Sequence, residues 1–234
     1  MVDTMQKRRD WASRRRVCLA VGVCALTWQA GWAQGSGRLY DPEPPLDSGY
    51  VRIVWAATGA PVQLSVDGKV RIPKLGAYSV SDYLVLKEGT HTLAFQQGAK
   101  SWSHPWTVAR GKSVSLVYDA MKGDGPVHVL EDKGNTNKLK ALLAFYNLAQ
   151  QAPKVGVAAA QGNAKVFDGV PYGSMAAMQV NPIAIGLEIT GANKPVSAQL
   201  EMQAGQTYSV FLFNVNGKPQ THVVQSTVER YTGP

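Results

Sequence analysis

The amino-acid sequence predicts an all-β protein built as two tandem β-sandwich domains behind an export signal. Three observations lead there. Past residue 48 the chain runs in short segments that alternate apolar and polar residues and end in turn formers. No segment sustains the 3.6-residue apolar period of a helix. The second half retells the first at an offset of 92 to 94 residues, which is too long for a solenoid unit and the right size for a whole sandwich domain. Composition agrees: 234 residues, 45% hydrophobic, 17% charged, with 23 Gly and 13 Pro, exclude a coiled coil, a collagen-like repeat and a wholly disordered chain.

Residues 1–33 read as a secretory signal peptide. Lys7, Arg8, Arg9 and Arg14 to Arg16 form a basic leader, Val17–Trp28 an apolar stretch too short to span a bilayer comfortably, and Gly31-Trp32-Ala33 the small-residue cleavage site. The formal charge of +8 therefore misleads. Removing six basic and two acidic residues leaves 18 against 14, or +4, too mild for the concentrated basic face that nucleic acid requires. The two cysteines, Cys18 and Cys24, both fall inside the signal, so no disulfide scaffold or thiolate metal site is expected. These features place the mature chain in the periplasm.

Residues 34–48 follow as an extended arm. Leu39-Tyr40-Asp41-Pro42-Glu43-Pro44-Pro45 cannot enter a helix or a central strand, because each proline fixes φ and removes a donor. The first sandwich is expected over residues 49–119. Tyr50–Ala56 places Val51, Ile53 and Trp55 on one face; Val62–Val66 ends in the hairpin signal Asp67-Gly68; Ser79–Leu86, Thr90–Phe95, Ser101–Val108 and Ser113–Asp119 complete it. Residues 120–140 are charged and turn-rich and read as a connector, with an extra strand available at Val127–Leu130. The second sandwich is expected over 141–234. There Gly205–Ser209 answers Gly111–Ser115, Leu143 and Phe145 answer Val51 and Ile53, and Val196 and Leu200 answer Trp102 and Trp106. That last match assigns the two tryptophans to a core rather than to a sugar-stacking platform.

Motifs for chemistry are sparse. There is no G-x-S-x-G; Gly173-Ser174 carries half of one. His91, His104, His128 and His222 lack a second histidine at metal spacing, and no pair of carboxylates marks an acid–base site. No catalytic residue, cofactor or metal is expected.

The opening Leu39-Tyr40-Asp41-Pro42 through Ser48-Gly49-Tyr50-Val51-Arg52, the second-domain start Ala141-Leu142-Leu143-Ala144-Phe145-Tyr146-Asn147-Leu148, and Met178-Gln179-Val180-Asn181-Pro182 through Leu187 together resemble the AlgF family of periplasmic alginate O-acetylation proteins. The resemblance runs in order along essentially the whole mature chain. One position departs: the family pattern has Asn where this chain has Trp55. The resemblance implies a non-catalytic scaffold that bridges a membrane O-acyltransferase and periplasmic acetyltransferase subunits, with polysaccharide as a further partner. Similar proteins accompany cellulose acetylation. Leu39, Tyr40, Pro42 and Arg52 are the partner-binding candidates, because the family-like opening concentrates there. The stretches Val51–Gly68 and Ser81–Phe95 also resemble a tandem domain of bacterial surface proteins, which would make the chain a generic extracytoplasmic binding module. A polysaccharide acetyltransferase or esterase is the third reading.

Overall fold

The computed structural model describes residues 45–119, 125–162 and 164–231. The signal peptide and nearly all of the arm lie outside them. Every regular element described is a strand, and the strands form four sheets in two sandwiches.

In the first half, β1 (Ser48–Trp55) is the centre of one sheet. It pairs in parallel with β8 (Ser113–Tyr118) and antiparallel, on its other side, with β4 (Ser79–Val80) and β5 (Leu84–Lys87); β9 (His128–Glu131) adds to β8. The opposing sheet runs in the order β3 (Lys69–Leu75), β2 (Val62–Val66), β6 (Gly89–Gln97), β7 (Lys100–Val108). Asp67 and Gly68, with φ of 50° and 80°, turn β2 into β3 as the Asp-Gly signal predicts. Gly49 is required at the point where the two sheets close. A Cβ there would meet the Ala109 carbonyl oxygen at 2.5 Å and a Val108 methyl at 2.6 Å.

The second half repeats this order strand for strand. One sheet is β13 (Ser174–Val180), β10 (Ala141–Leu148), β16 (Thr207–Val215), β17 (Lys218–Gln225), with β10 and β16 parallel; the other is β12 (Lys165–Pro171), β11 (Lys154–Ala159), β14 (Ala184–Thr190), β15 (Val196–Glu201). Equivalent positions follow the sequence offsets. Val51 and Leu143 face Val114 and Tyr208, while Phe95 and Ile189 face Trp102 and Val196.

Each sandwich has its own core. Val51, Ile53, Trp55, Leu64, Leu93, Phe95 and Leu116 fill the first; Leu143, Phe145, Val155, Val157, Leu187, Ile189 and Val210 fill the second. Trp102 and Trp106 pack against the first core, half-buried on its edge strand. Trp102 stacks on Phe95 at 4.9 Å and 9°, beside Trp55 and Tyr118.

A third apolar layer corrects the picture of two separate interiors. The residues of β1, β8, β10 and β16 that point away from their own sandwich meet each other: Val54, Val117 and Leu130 on one side, Ala144, Tyr146, Leu148, Phe211 and Phe213 on the other. The four sheets therefore stack as four layers around three apolar seams. β10 is buried at all eight positions and β1 at seven of eight, as parallel strands covered on both faces must be.

Two boundaries differ from the sequence reading. The connector 120–140 supplies β9 and Asp132 to the first sandwich. The stretch after β17 crosses back to the first sandwich as a strap along β5: Tyr83 N–H donates to the Thr227 carbonyl, Glu229 N–H donates to the Tyr83 carbonyl, and Val85 N–H donates to the Glu229 carboxylate at 2.7 Å. β3 was not predicted as a strand, because Pro73 and a register shift against β2 break its alternation.

Phe211→Ala is expected to cost about 3–5 kcal/mol, because it opens a cavity in the shared seam while leaving both sandwich cores intact. Equilibrium unfolding in denaturant should change from one transition to two.

Candidate functional site: the junction between the sandwiches

Arg52 sits near the middle of β1, facing the second sandwich, and is 1% exposed. Isolated burial of a guanidinium is prohibitive, so its five N–H groups must all be met. They are. Nε donates to Ser115 Oγ at 2.6 Å. One terminal nitrogen donates to Ser209 Oγ at 3.3 Å and Ser226 Oγ at 3.1 Å. The other donates to Tyr146 Oη at 2.7 Å and again to Ser209 at 3.3 Å. Three aromatic rings enclose the cation, with Tyr83, Phe211 and Tyr146 centroids 4.6, 5.0 and 5.1 Å from Cζ.

Asp132 supplies the counter-charge, 3.6 Å from Arg52. Its carboxylate accepts the hydroxyls of Ser115 at 2.6 Å, Tyr146 at 2.6 Å and Tyr83 at 2.7 Å. The hydroxyls of Ser115 and Tyr146 thus relay, accepting from the guanidinium and donating to the carboxylate. Burial pushes the Tyr83 and Tyr146 phenols far above their ordinary pKa, which keeps them protonated as donors.

Local sequence explains how these groups converge. Ser115 and Ser209 occupy equivalent places: Ser115 pairs with Arg52 across β1 and β8, and Ser209 pairs with Ala144 across β10 and β16. Arg52 in one half and the small Ala144 in the other therefore share one space. Tyr83 reaches the cluster because strand pairing breaks between β4 and β5, where Ser81 Oγ accepts the Ile53 N–H at 2.9 Å. Trp55 and Asn147 are a second equivalent pair. Asn147 is fully buried and donates to the carbonyls of Ala152 at 2.8 Å and Val170 at 3.1 Å; Trp55 instead fills its place with apolar surface.

The far end of the junction holds a cleft of about 210 Å³ lined by Tyr78, Asp119, His128, Gln150, Tyr172 and Asn214. Here β9 meets the second sandwich. The His128 ring meets Tyr172 edge-on at 5.0 Å and lies over Gly173, where φ is +71° and a Cβ would collide with the ring at 2.4 Å. His128 Nε2 is shielded and has no hydrogen-bond partner among the described residues. Burial lowers the His128 pKa, with nearby Asp119 opposing, and burial lowers that of His222.

The sequence-predicted site residues separate here. Leu39, Tyr40 and Pro42 lie outside the described residues. Arg52 is corrected: the structure spends its side chain on holding the two sandwiches together, so it is not a surface contact. Its partners Tyr83, Ser115, Asp132, Tyr146, Ser209 and Ser226 were not singled out from sequence. The available signal was a lone arginine in an otherwise apolar strand, which requires a buried acceptor set. Ser174, the half-motif serine, donates its hydroxyl to the Pro171 carbonyl at 2.7 Å. Among the described residues no group of three His, Cys, Asp or Glu side chains could hold a metal ion.

The fold and junction define a class: a double β-sandwich fused into one body by a sealed ionic and hydroxyl cluster. Within that class the chain belongs to the AlgF family, whose model, described as alginate O-acetyl transferase AlgF, matches residues 19–222. The protein is thereby involved in alginate O-acetylation. Among solved structures, the C-terminal domain of AlgF from P. aeruginosa is 25% identical, with 38% of this chain and 99% of that one covered at a TM-score of 0.32. A family 26 carbohydrate-binding module from Eubacterium rectale Amy13K, in complex with maltoheptaose, is 8% identical over 79% of this chain and 99% of that one, TM-score 0.30. A putative cell adhesion protein from Bacteroides fragilis is 10% identical over 80% of this chain and all of that one, TM-score 0.23. No curated protein matches.

Two outcomes follow. Arg52→Met strands Asp132 without its cation and should cost about 3–5 kcal/mol by denaturant unfolding, whereas adding Asp132→Leu should restore part of that loss. The histidines set a pH dependence. A base whose folded pKa is depressed binds more protons when unfolded, so stability falls as pH drops through the ordinary imidazole value of about 6.5 and levels off below the folded values. The unfolding midpoint should therefore drop between about pH 7.5 and pH 5.5, and His128→Gln with His222→Gln should flatten that drop.

Proposed function

We propose that this chain is a non-catalytic periplasmic scaffold of alginate O-acetylation, exported by its N-terminal signal, that holds a membrane O-acyltransferase and periplasmic acetyltransferase subunits together. The family match over residues 19–222 carries the reading. The chemistry of the junction supports it. The hydroxyls of Ser115, Ser209, Ser226 and Tyr146 are ligands of a buried guanidinium, and the Ser174 hydroxyl is bonded to a carbonyl, so these groups serve the fold rather than a reacting acyl group. A stiff four-layer body also suits a scaffold, because it fixes the spacing of whatever docks on its outer sheets and edges.

Affinity capture of the mature protein, with the proteins encoded beside it co-expressed, tests this. The acyltransferase and acetyltransferase subunits should co-purify, and deletion of the chain should lower the acetyl content of the secreted polymer. Purified protein given an activated acetyl ester should show no turnover. Turnover abolished by Ser174→Ala would replace the scaffold with an enzyme.

A further inference from the structure

A groove of about 650 Å³ opens on the first sandwich, between the β2–β3 hairpin and β5, with the C-terminal strap as one wall. That volume lies within the range of small-ligand sites, roughly 300–1,000 Å³. Its charge is distinctive. Lys69, Arg71, Lys87 and Arg230 line it against two carboxylates, Asp47 and Glu229. The cleft beside His128, by contrast, is lined by a carboxylate and no lysine or arginine.

The two carboxylates are not equivalent. Glu229 is committed to the fold: it accepts the Val85 N–H and pairs with Arg71, which pins the strap to β5. Asp47 pairs with Lys87 at 3.5 Å, but their side chains are 42% and 72% exposed. An exposed pair of this kind contributes about 0–1 kcal/mol and exchanges readily for another carboxylate. Lys69 makes no ion pair with a described residue. The groove thus offers cations to an incoming anion on walls that are already fixed by β-pairing and by the Glu229 anchor, so little ordering is required on binding. Between the charges stand Val70, 47% exposed, and the Tyr231 ring, surfaces that suit the C–H face of a sugar.

We propose that this groove binds a short stretch of an anionic uronate polysaccharide, with sugar carboxylates on Lys69 and Lys87 and a ring face against Tyr231 and Val70. The choice of uronate over an acidic peptide rests on the proposed function, which brings the chain to a uronate polymer, and on the apolar surface set among the cations.

The test is calorimetric titration of the mature protein with a short oligomannuronate, a cello-oligosaccharide of equal length and a polyglutamate peptide of equal charge. The oligomannuronate should bind saturably and more weakly as salt rises, and the cello-oligosaccharide should not bind. Lys69→Glu with Lys87→Glu should weaken binding by roughly tenfold or more with the melting temperature little changed. Tyr231→Ala should weaken it without altering the salt dependence. No binding, equal binding of the neutral sugar, equal or tighter binding of polyglutamate, or a double variant that binds like the parent would each overturn the proposal. The double variant in the capture experiment separates the two readings. Partners retained while oligomannuronate fails to bind the parent sinks the groove alone; partners lost from parent and variant alike, with oligomannuronate still bound, sinks the scaffold alone.

Discussion

One buried cation organises this molecule. Arg52 carries five donors into an apolar seam, where leaving any of them unmet is costly, and the residues that meet them come from both sandwiches. Ser115, Asp132 and Tyr83 belong to the first, Tyr146, Ser209 and Ser226 to the second. An apolar seam alone tolerates sliding and rotation. A planar fork with fixed hydrogen-bond directions does not, so the ionic cluster sets the register in which Phe211, Tyr146 and Val54 pack. The cluster works because the two halves are unequal at one place: arginine stands in β1 where alanine stands in β10. A second arginine would bring two cations into one closed space with a single carboxylate between them.

Much of the fold was legible in the chain. Alternation located β1, β2, β6, β7 and β8 within a residue or two, and the Asp67-Gly68 pair located a hairpin. The offset between halves put Trp102 and Trp106 on an inward face, where they pack. What alternation hides is a strand covered on both sides. Ala141–Leu148 is a near-continuous apolar run, and so is Tyr208–Phe213 apart from Ser209; such runs announce parallel, doubly buried strands rather than the skin of a sandwich. Reading them so would have revealed the third seam and, with it, the destination of Arg52.

The site was less legible because its members are far apart in sequence and ordinary in kind. Serine and tyrosine hydroxyls carry no pattern that distinguishes a buried acceptor from a surface residue. Asp132 looked like part of a solvated connector, since its neighbours Glu131 and Lys133 are charged and exposed. Only the backbone bond from Asp132 N–H to the Ser113 carbonyl, which continues β9 pairing, turns its side chain inward. The strap was hidden for a similar reason: Thr227 to Glu229 has no strand signature, and its pairing depends on an edge that lies nearly 150 residues earlier in the chain.

The strap also orders events in time. A polypeptide emerges N-terminus first, so β5 is available long before Glu229 exists to cover it. Until the last few residues appear, the first sandwich keeps a bare edge of backbone donors and Arg52 lacks the serines that the second half brings. The protein's vulnerable interval is therefore the length of its own synthesis, and its final residues act as the latch that closes it.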